Sequence, residues 1–527
     1  MAYSGQIAEV VVGVSGLTGT KNQATIQPTQ LLQANNITYE SVTMRKEGGA
    51  SKFNASAISG TPNIMGGWDW NHNGATQRSI IVATNGKIYK DAGDGSYGTE
   101  LKTGLSISVT NIPVFVEGGK EAAANDRKLF IFTGSNQVQV LDADGAATGD
   151  IATPPADWSS NYPTFGFNHE GRVWGGGNSN DPHRLYYPKT TNHEDFSDEH
   201  SLSIYPGEGQ GIVGALSFKG VIVCWKKPRG IYVVDTTDPT IANWKISRLS
   251  NSIGGISPMG ACIVDDDIIF LDATGAFHRI SDVREFGNLG TFSLSDVSDM
   301  NPFIRENFNL AKLSQVQSVF YTAKREAHFA MAGTGASVPS HRTVIDISNP
   351  QLPRFRVSAR DTPVSLWLKE DSDGIPRLTS GDDSGQVWDL DTEARSFDGV
   401  GYEGRFQTPH LDLGNIDPSL SAKRKNFDFL ELVVEPKGNW NLSVDVIIDG
   451  DTSETLQFNM GASGAALGSF TFDTDALGGF QILNKKKSMN GSGTRISFEG
   501  YNSGDAQDYS VAKFLLYFRP AGEEPGS

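Results

Sequence analysis

Residues 78–90, RSIIVATNGKIYK, are two short apolar runs on either side of Asn85-Gly86. Asn-Gly tolerates the positive φ angles of a tight two-residue turn, so the stretch predicts a β-hairpin. The same form recurs at 127–142 (RKLFIFTGSNQVQVLD), 164–174 (TFGFNHEGRVW), 218–235 (FKGVIVCWKKPRGIYVVD), 262–280 (CIVDDDIIFLDATGAFHRI), 318–331 (SVFYTAKREAHFAM) and 377–390 (RLTSGDDSGQVWDL). Turn markers at Gly86, Gly134, Gly171, Gly230, Gly275, Arg325 and Gly385 set a loose period of roughly 50 residues. A repeat of about that length, with four strands per unit, is the sequence mark of a β-propeller. Its units cannot bury both faces alone and must stack about an axis. The expectation is an all-β chain with a propeller of about six or seven blades over 56–395. A set of unrelated β-sandwiches is the competing arrangement, since their hairpins recur too.

The flanks read differently. Residues 1–55 are polar and predict an extended N-terminal arm lying along the propeller or a neighbour. Beyond an acidic linker (DLDTEARSFDGVGYEG), whose 391–403 portion is the expected protease-sensitive boundary, come FDFLELVVEP, WNLSVDVIIDG, SFTFD, TRISFEGYN and AKFLLYFRP. These longer alternating strands predict a C-terminal β-sandwich over 400–520. The tail AGEEPGS reads as unpacked. The best helix is 299–311, with Asp299 or Asn301 as cap, Pro302 at the first position, and Ile304, Phe308 and Ala311 on one face.

Composition narrows the function. Gly is abundant, 59 of 527 residues, which suits many tight turns. The formal net charge of −17 argues against a protein that grips nucleic acid by its phosphates. It suits both a soluble surface and a conduit through which DNA slides without sticking. No basic leader followed by an apolar core opens the sequence, and no window is apolar enough to span a membrane. Cys224 and Cys262 sit in apolar strand-like runs and are expected to be reduced, buried and inert.

The sequence carries no G-x-S-x-G elbow, no phosphate-binding P-loop and no H-E-x-x-H helix, so no catalytic, cofactor or metal residue is assigned. Asp265-Asp266-Asp267 lacks a glycine-containing ligand loop and reads as a solvated turn. His169, His183 and His193, near Gly175-Gly176-Gly177, read as an exposed loop. The dipeptides Trp68-Asp69 and Trp388-Asp389 lack the Gly-His partner of WD40 arrays. Three basic clusters stand out in an acidic chain: Lys226, Lys227 and Arg229; Lys423, Arg424 and Lys425; Lys485, Lys486 and Lys487. They are candidates for subunit contacts or DNA phosphates, or are solvated turns. Two acidic loops, with Asp371 and Asp373 and with Asp382 and Asp383, are candidates for a channel lining.

Several segments together resemble one family. These are LLQANNITYESVTMRKEGGASKF (31–53), IIVATNGKIYK (80–90), FSDEHSLSIYPGEGQGIVGALSFKGVIVCWKKPRGIYVV (196–234), VDDDIIFLDATGAFHRI (264–280) and YEGRFQTPHLDLG (402–414). In this order they resemble the nozzle or hub proteins of short-tailed bacteriophages (tail tubular protein B) and the related packaged-DNA stabilisation proteins. Glu208 stands where that pattern has Asp, and Cys224-Trp225 where it has Val-Phe. The resemblance covers about 30–415. It implies a non-enzymatic virion protein of the phage tail, made in the host cytoplasm. Its partners would be itself, as a homohexameric ring, the portal and adaptor rings above, tail fibres or tip proteins, and translocating DNA held without tight binding. Two other readings compete: a propeller that binds host glycans as a receptor-binding tail protein, and a propeller glycosidase, which would need two carboxylates at a set separation.

Overall fold

The structure is a computed structural model. It describes residues 5–521 apart from 12, 14, 21–25, 41–42, 72–76, 94, 120–126, 143–146, 190–191, 197–199, 209, 282–293, 295–298, 372 and 462–481. The expected strand SFTFD (469–473) and nearly all of the AGEEPGS tail lie outside the described residues. The chain is all-β in class, with one short α-helix and a few 3₁₀ turns among the described residues.

The N-terminal segment holds β1 (Gln6–Val11), β2 (Gln33–Asn35), β3 (Ile37–Glu40), β4 (Thr43–Lys46) and β5 (Gly49–Lys52). Antiparallel meanders follow in chain order. The first sheet is β6 (Ile64–Asn71), β7 (Gln77–Ala83), β8 (Lys87–Lys90) and β9 (Thr99–Lys102). The second is β10 (Val114–Gly118), β11 (Lys128–Phe132), β12 (Gln139–Leu141) and β13 (Ala147–Asp150). The third is β14 (Phe165–His169), β15 (Arg172–Gly176), β16 (Arg184–Tyr186) and β17 (Ser201–Ser203). The fourth is β18 (Ile212–Phe218), β19 (Val221–Lys226), β20 (Ile231–Asp235) and β21 (Lys245–Ser250). The fifth has three strands, β22 (Ala261–Val264), β23 (Asp267–Leu271) and β24 (Phe277–Arg279). The sixth is β25 (Gln317–Tyr321), β26 (Glu326–Met331), β27 (His341–Asp346) and β28 (Arg354–Ser358). The seventh is β29 (Ser365–Glu370), β30 (Pro376–Gly381) and β31 (Val387–Thr392), completed by β5 from the N-terminal segment.

The apolar second strands β11, β19 and β23 have a packing reason. β11, β19 and β26 are buried almost throughout, whereas the outer strands β9 and β21 are largely exposed. A strand covered on both faces has no side left for alternating polar residues. The covering comes from the neighbouring sheets. Ile80 and Val82 pack with Leu129 and Ile131 between the first and second. Phe132 and Phe165 share a core between the second and third. Trp174 and Trp244 meet at 5.7 Å between the third and fourth, and Trp225 and Phe270 at the same separation between the fourth and fifth. Phe277 meets Phe329 at 4.8 Å between the fifth and sixth. Tyr321 and Ala330 pack with Leu366 and Leu378 between the sixth and seventh. Trp367 and Val387 return the packing to Ile64 and Ile81 of the first.

The remaining strands form a two-sheet body. They are β32 (Gly404–Gln407), β33 (Lys425–Val434), β34 (Asn441–Ile448), β35 (Asp451–Asn459), β36 (Leu483–Gly493), β37 (Ile496–Asn502) and β38 (Ser510–Pro520). One sheet runs β3-β4-β38-β33-β36, with β1 also on β38. The other is continuous with the sixth sheet: β28, then β2, β32, β37, β34 and β35. One hydrophobic core accordingly spans Ala8 to Phe518 and takes in both Phe329 and Phe514.

Three expectations change here. Residues 1–55 are not an arm laid on a surface; their five strands are built into three sheets, with β1 paired to β38 from Gln6↔Phe518 to Val11↔Lys513. The linker is tied down: Ala50 N donates to Ser396 O, Arg395 Nε reaches Asp508 at 3.1 Å, and the Phe397 and Trp388 rings lie 4.3 Å apart. The helix, α1 (Met300–Asn307), is shorter than expected, because Asn309 caps a separate 3₁₀ helix by accepting from Ala311 N at 3.2 Å. Asp299 precedes α1 in a left-handed conformation and makes no side-chain cap.

Candidate functional site

Two of the nine basic candidates serve the fold. Lys226 is fully buried, and its Nζ donates to Tyr205 O at 2.8 Å and Glu208 O at 3.1 Å, beside His183 Nδ1 at 3.1 Å. Lys425 is likewise buried, and its Nζ donates to the carbonyls of Leu420, Asp412 and Lys423 at 2.7, 2.9 and 3.0 Å. Burial lowers both ammonium pKa values from the usual lysine range. Each draws main-chain carbonyls of the surrounding loops together on one ammonium.

The other seven lie nearer the surface. Lys423, Arg424 and Arg229 are exposed, and Lys227 is half-buried. Arg424 bonds Ser492 Oγ at 2.9 Å. Lys485, Lys486 and Lys487 lie on β36, at the outer edge of its sheet. Lys485 Nζ donates to Gly461 O at 3.0 Å; Lys486 sits 3.4 Å from the centroid of the Tyr517 ring; Lys487 is exposed. Lysines on an edge strand oppose pairing with another strand.

The two acidic loops lie at opposite ends of the seventh sheet, because one follows β29 and the other follows β30, its antiparallel partner. Asp371 accepts from Asp373 N and Ile375 N, both at 2.9 Å, and from Arg377 Nε at 2.9 Å. The Ile375 amide leads in holding its carboxyl below the usual range. Asp382 is buried and accepts from Ser384 N and Gln386 N, both at 2.8 Å, and from Trp388 Nε1 at 3.0 Å. Asp272 closes the matching turn of the fifth sheet in the same way, accepting from Thr274 N at 2.7 Å and Ala276 N at 3.0 Å. Asp373 and Asp383 are exposed.

The three histidines are separated: His169 bonds Ser217 and Thr236, His183 faces Lys226, and His193 accepts from Gly119 N. Among the described residues no three His, Cys, Asp or Glu side chains come together as metal ligands. Asp265 pairs with Arg325 at 2.6 Å. Both cysteines are unpaired and buried, and burial pushes each thiol up to about 12. No helix among the described residues is long and apolar enough to cross a membrane.

Two features escaped the sequence. The first is a buried ionic network joining the N-terminal segment to the sixth sheet. Arg356 bonds Glu47 and Glu326, each at 2.7 Å, and Arg342 bonds Asp361 at 2.7 Å and Glu47 at 3.1 Å. All five side chains are at most 2% exposed. Arg342 in HRTVID and the alternating Arg354 and Arg356 in RFRVS were the only signal for it.

The second is a pocket of about 340 Å³ enclosed by β6, β10, β25 and β29. Ser365 Oγ donates to Ile64 O at 2.7 Å at one end, and Glu370 N donates to Asp69 Oδ2 at 2.7 Å at the other. β6 and β29 therefore run parallel. Gln317 Nε2 donates to Met65 O at 2.7 Å and so marks the inner end. The wall is apolar and aromatic, with Trp68, Phe115 and Trp367 among its side chains. Trp68 stacks on Phe115 at 6.4 Å, and its Nε1 donates to Glu117 Oε1 at 2.7 Å. Gly67 lets the backbone approach, since a Cβ there would lie 2.5 Å from the Trp367 ring.

No known family's model and no curated protein matches the chain. Among solved structures, a computationally designed protein, Ika8, is similar over 64% of this chain and 100% of its own, at 14% identity and a TM-score of 0.35. A likeness so slight carries no argument about fold or function.

Proposed function

We propose that this chain is a structural protein of a short-tailed phage tail: a seven-bladed β-propeller with a C-terminal β-sandwich, assembled as a nozzle or hub ring that conducts genomic DNA. The observation that carries the reading is how the N-terminal strands close both bodies. β5 completes the seventh sheet, and β1 pairs with β38. Opening either body requires breaking a strand ladder that an N-terminal strand makes with a distant part of the chain, which suits a part under mechanical load. The net charge of −17 suits a path that must not retain its cargo, because each phosphate contact adds salt-dependent affinity. The sequence resemblance supplies the tail and the number six.

In this ring each subunit offers one face to the next, a heterologous contact that closes by rotation. Of the nine candidates the exposed ones, Arg229, Lys423, Arg424, Lys486 and Lys487, are the contact candidates, while Lys226 and Lys425 act inside the subunit. Asp371 and Asp373 belong to one end of the propeller and Asp382 and Asp383 to the other, so at most one pair meets a given ring face.

Mass measurement and electron microscopy of the purified protein, alone and with portal and adaptor rings, test the reading. The expected result is a closed ring with a central opening. A protein that stays monomeric in every mixture would overturn it and favour a free receptor-binding propeller.

A further inference from the structure

We propose that His328 makes the closure of the seventh sheet acid-sensitive: when its imidazole takes up a second proton, the ionic clamp on Glu47, and with it β5, is released. The inference concerns the single chain and does not depend on ring assembly.

His328 lies on β26, 1% exposed, inside the buried ionic network. Arg342 Nη1 stands 3.0 Å from its Nδ1, and Glu326 Oε2 stands 3.1 Å from its Nε2. A guanidinium offers donors only, and a carboxylate acceptors only. Nδ1 therefore carries the lone pair and accepts, while Nε2 carries the hydrogen and donates. Both ring nitrogens are satisfied by the neutral ring in this one tautomer. A proton on Nδ1 meets a donor where it needs an acceptor. It also sets a second positive charge against Arg342 in a site closed to water.

The surroundings fix the sign. Burial lowers the imidazole below its ordinary value of 6.5; Glu326 on the same strand pulls the other way, and Arg342 on β27 and Arg356 on β28 add to the lowering. β25 and its turn contribute Tyr321, whose ring meets the imidazole edge-on at 6.2 Å, and Lys324, 2.7 Å from Asp391 of the seventh sheet. Arg377 of that sheet stands by the Tyr321 hydroxyl. The neutral ring thus adds stability above its ordinary value of 6.5, and the contribution is lost as pH falls below it. Arg342 carries the effect outward. Its other nitrogens donate to Asp361, at 2.7 and 3.1 Å, and to Glu47 Oε1 at 3.1 Å. Glu47 is two residues from the start of β5, whose ladder to β31 runs from Gly49↔Thr392 to Lys52↔Trp388. Pushing Arg342 away from His328 loosens the carboxylate that positions this strand.

The test is hydrogen exchange of the full chain, read by mass spectrometry at about pH 7.5 and about pH 5.5 and corrected for intrinsic rates. About one pH unit below its ordinary value, a lowered histidine shifts an opening equilibrium by at most about tenfold. Wild-type peptides from β5 and β31 should lose protection by roughly five- to tenfold at the lower pH, while those from β33 and β38 change by less than about twofold. His328→Gln, neutral throughout, should hold β5 and β31 constant to within about twofold. If that variant does not fold, the wild-type chain labelled with 2-fluorohistidine, isosteric and neutral over this range, takes its place with the same expectation. Equal loosening of β33 and β38 overturns the proposal. So does unchanged protection of β5 and β31 in the wild type, or an undiminished shift in the variant or the labelled chain.

Discussion

Arg356 and Glu47 are separated by 309 residues of sequence, yet Nη1 of one donates to Oε1 of the other at 2.7 Å, with both side chains closed to solvent. The pair fixes the loop between β4 and β5 against β28. Arg342 and Arg360 face the same carboxylate, so Glu47 answers more than one positive charge.

Glu47→Gln should therefore be costly. Removing one member of a buried charge cluster strands its partners, typically at about 3–5 kcal/mol. Chemical denaturation of the variant should show a loss of that order; a loss below ~1 kcal/mol would refute the role. The pH dependence has a definite sign. Burial pushes the Glu47 carboxyl up, but Arg356, Arg342 and Arg360 outweigh it and hold the group well below its ordinary value of 4.5. A carboxyl lowered in the folded state adds stability above its unfolded value and loses it as pH falls. The wild type should lose stability progressively below about pH 4.5, and Glu47→Gln should flatten part of that acid limb.

Lys425→Ala should destabilise by about 2 kcal/mol, since three carbonyls lose a charged donor. Lys423→Ala, two residues away and exposed, should change stability by less than ~0.5 kcal/mol. Thermal unfolding of the two variants separates an internal tie from a surface charge. Equal effects would mean that the Lys425 contacts are not what holds the 412–425 loop.

What was legible in the sequence follows the range of the interactions. Asn85-Gly86 announces its hairpin because the turn is local, and Gly86 does take a φ of +76°. The apolar runs IIVA, KLFIF and VIVCW mark the buried second strands because burial on both faces is written in one stretch. The pairing of β1 with β38 was hidden, since QIAEVV carries nothing that names a partner some 500 residues away. The basic clusters misled for a related reason. Three adjacent cations look alike in sequence, while depth, set by distant strands, makes Lys425 a structural donor and leaves Lys423 in water. The pocket was invisible because Trp68, Phe115 and Trp367 belong to strands far apart in sequence, and only the packing of separate sheets brings them together.

Asp382→Ala should cost about 2–3 kcal/mol, because its carboxylate organises the turn through two amides, Ser384 and the Trp388 indole. Asp383→Ala, exposed in the same turn, should be nearly neutral. Trp388 fluorescence followed during unfolding reads both. If the two substitutions matched, the turn would not depend on Asp382, and its acidity would have to be explained by a role outside the subunit.

Ring assembly gives the last prediction. Lys423→Glu with Lys487→Glu alters two exposed cations that hold no main-chain carbonyls of their own subunit in place. The folded subunit should be indifferent, with a melting temperature within about 1 °C of wild type. Charges at an interface rim act chiefly on encounter rate and register. Time-resolved light scattering should therefore show ring formation slowed by roughly tenfold at low salt, with the difference shrinking as salt is raised. Lys226→Glu is the contrasting case: it buries an acid against the Tyr205 and Glu208 carbonyls and should unfold the fourth sheet rather than slow assembly. If the exposed pair changed melting and left assembly untouched, the basic surface would be part of the fold and the contact between subunits would lie elsewhere.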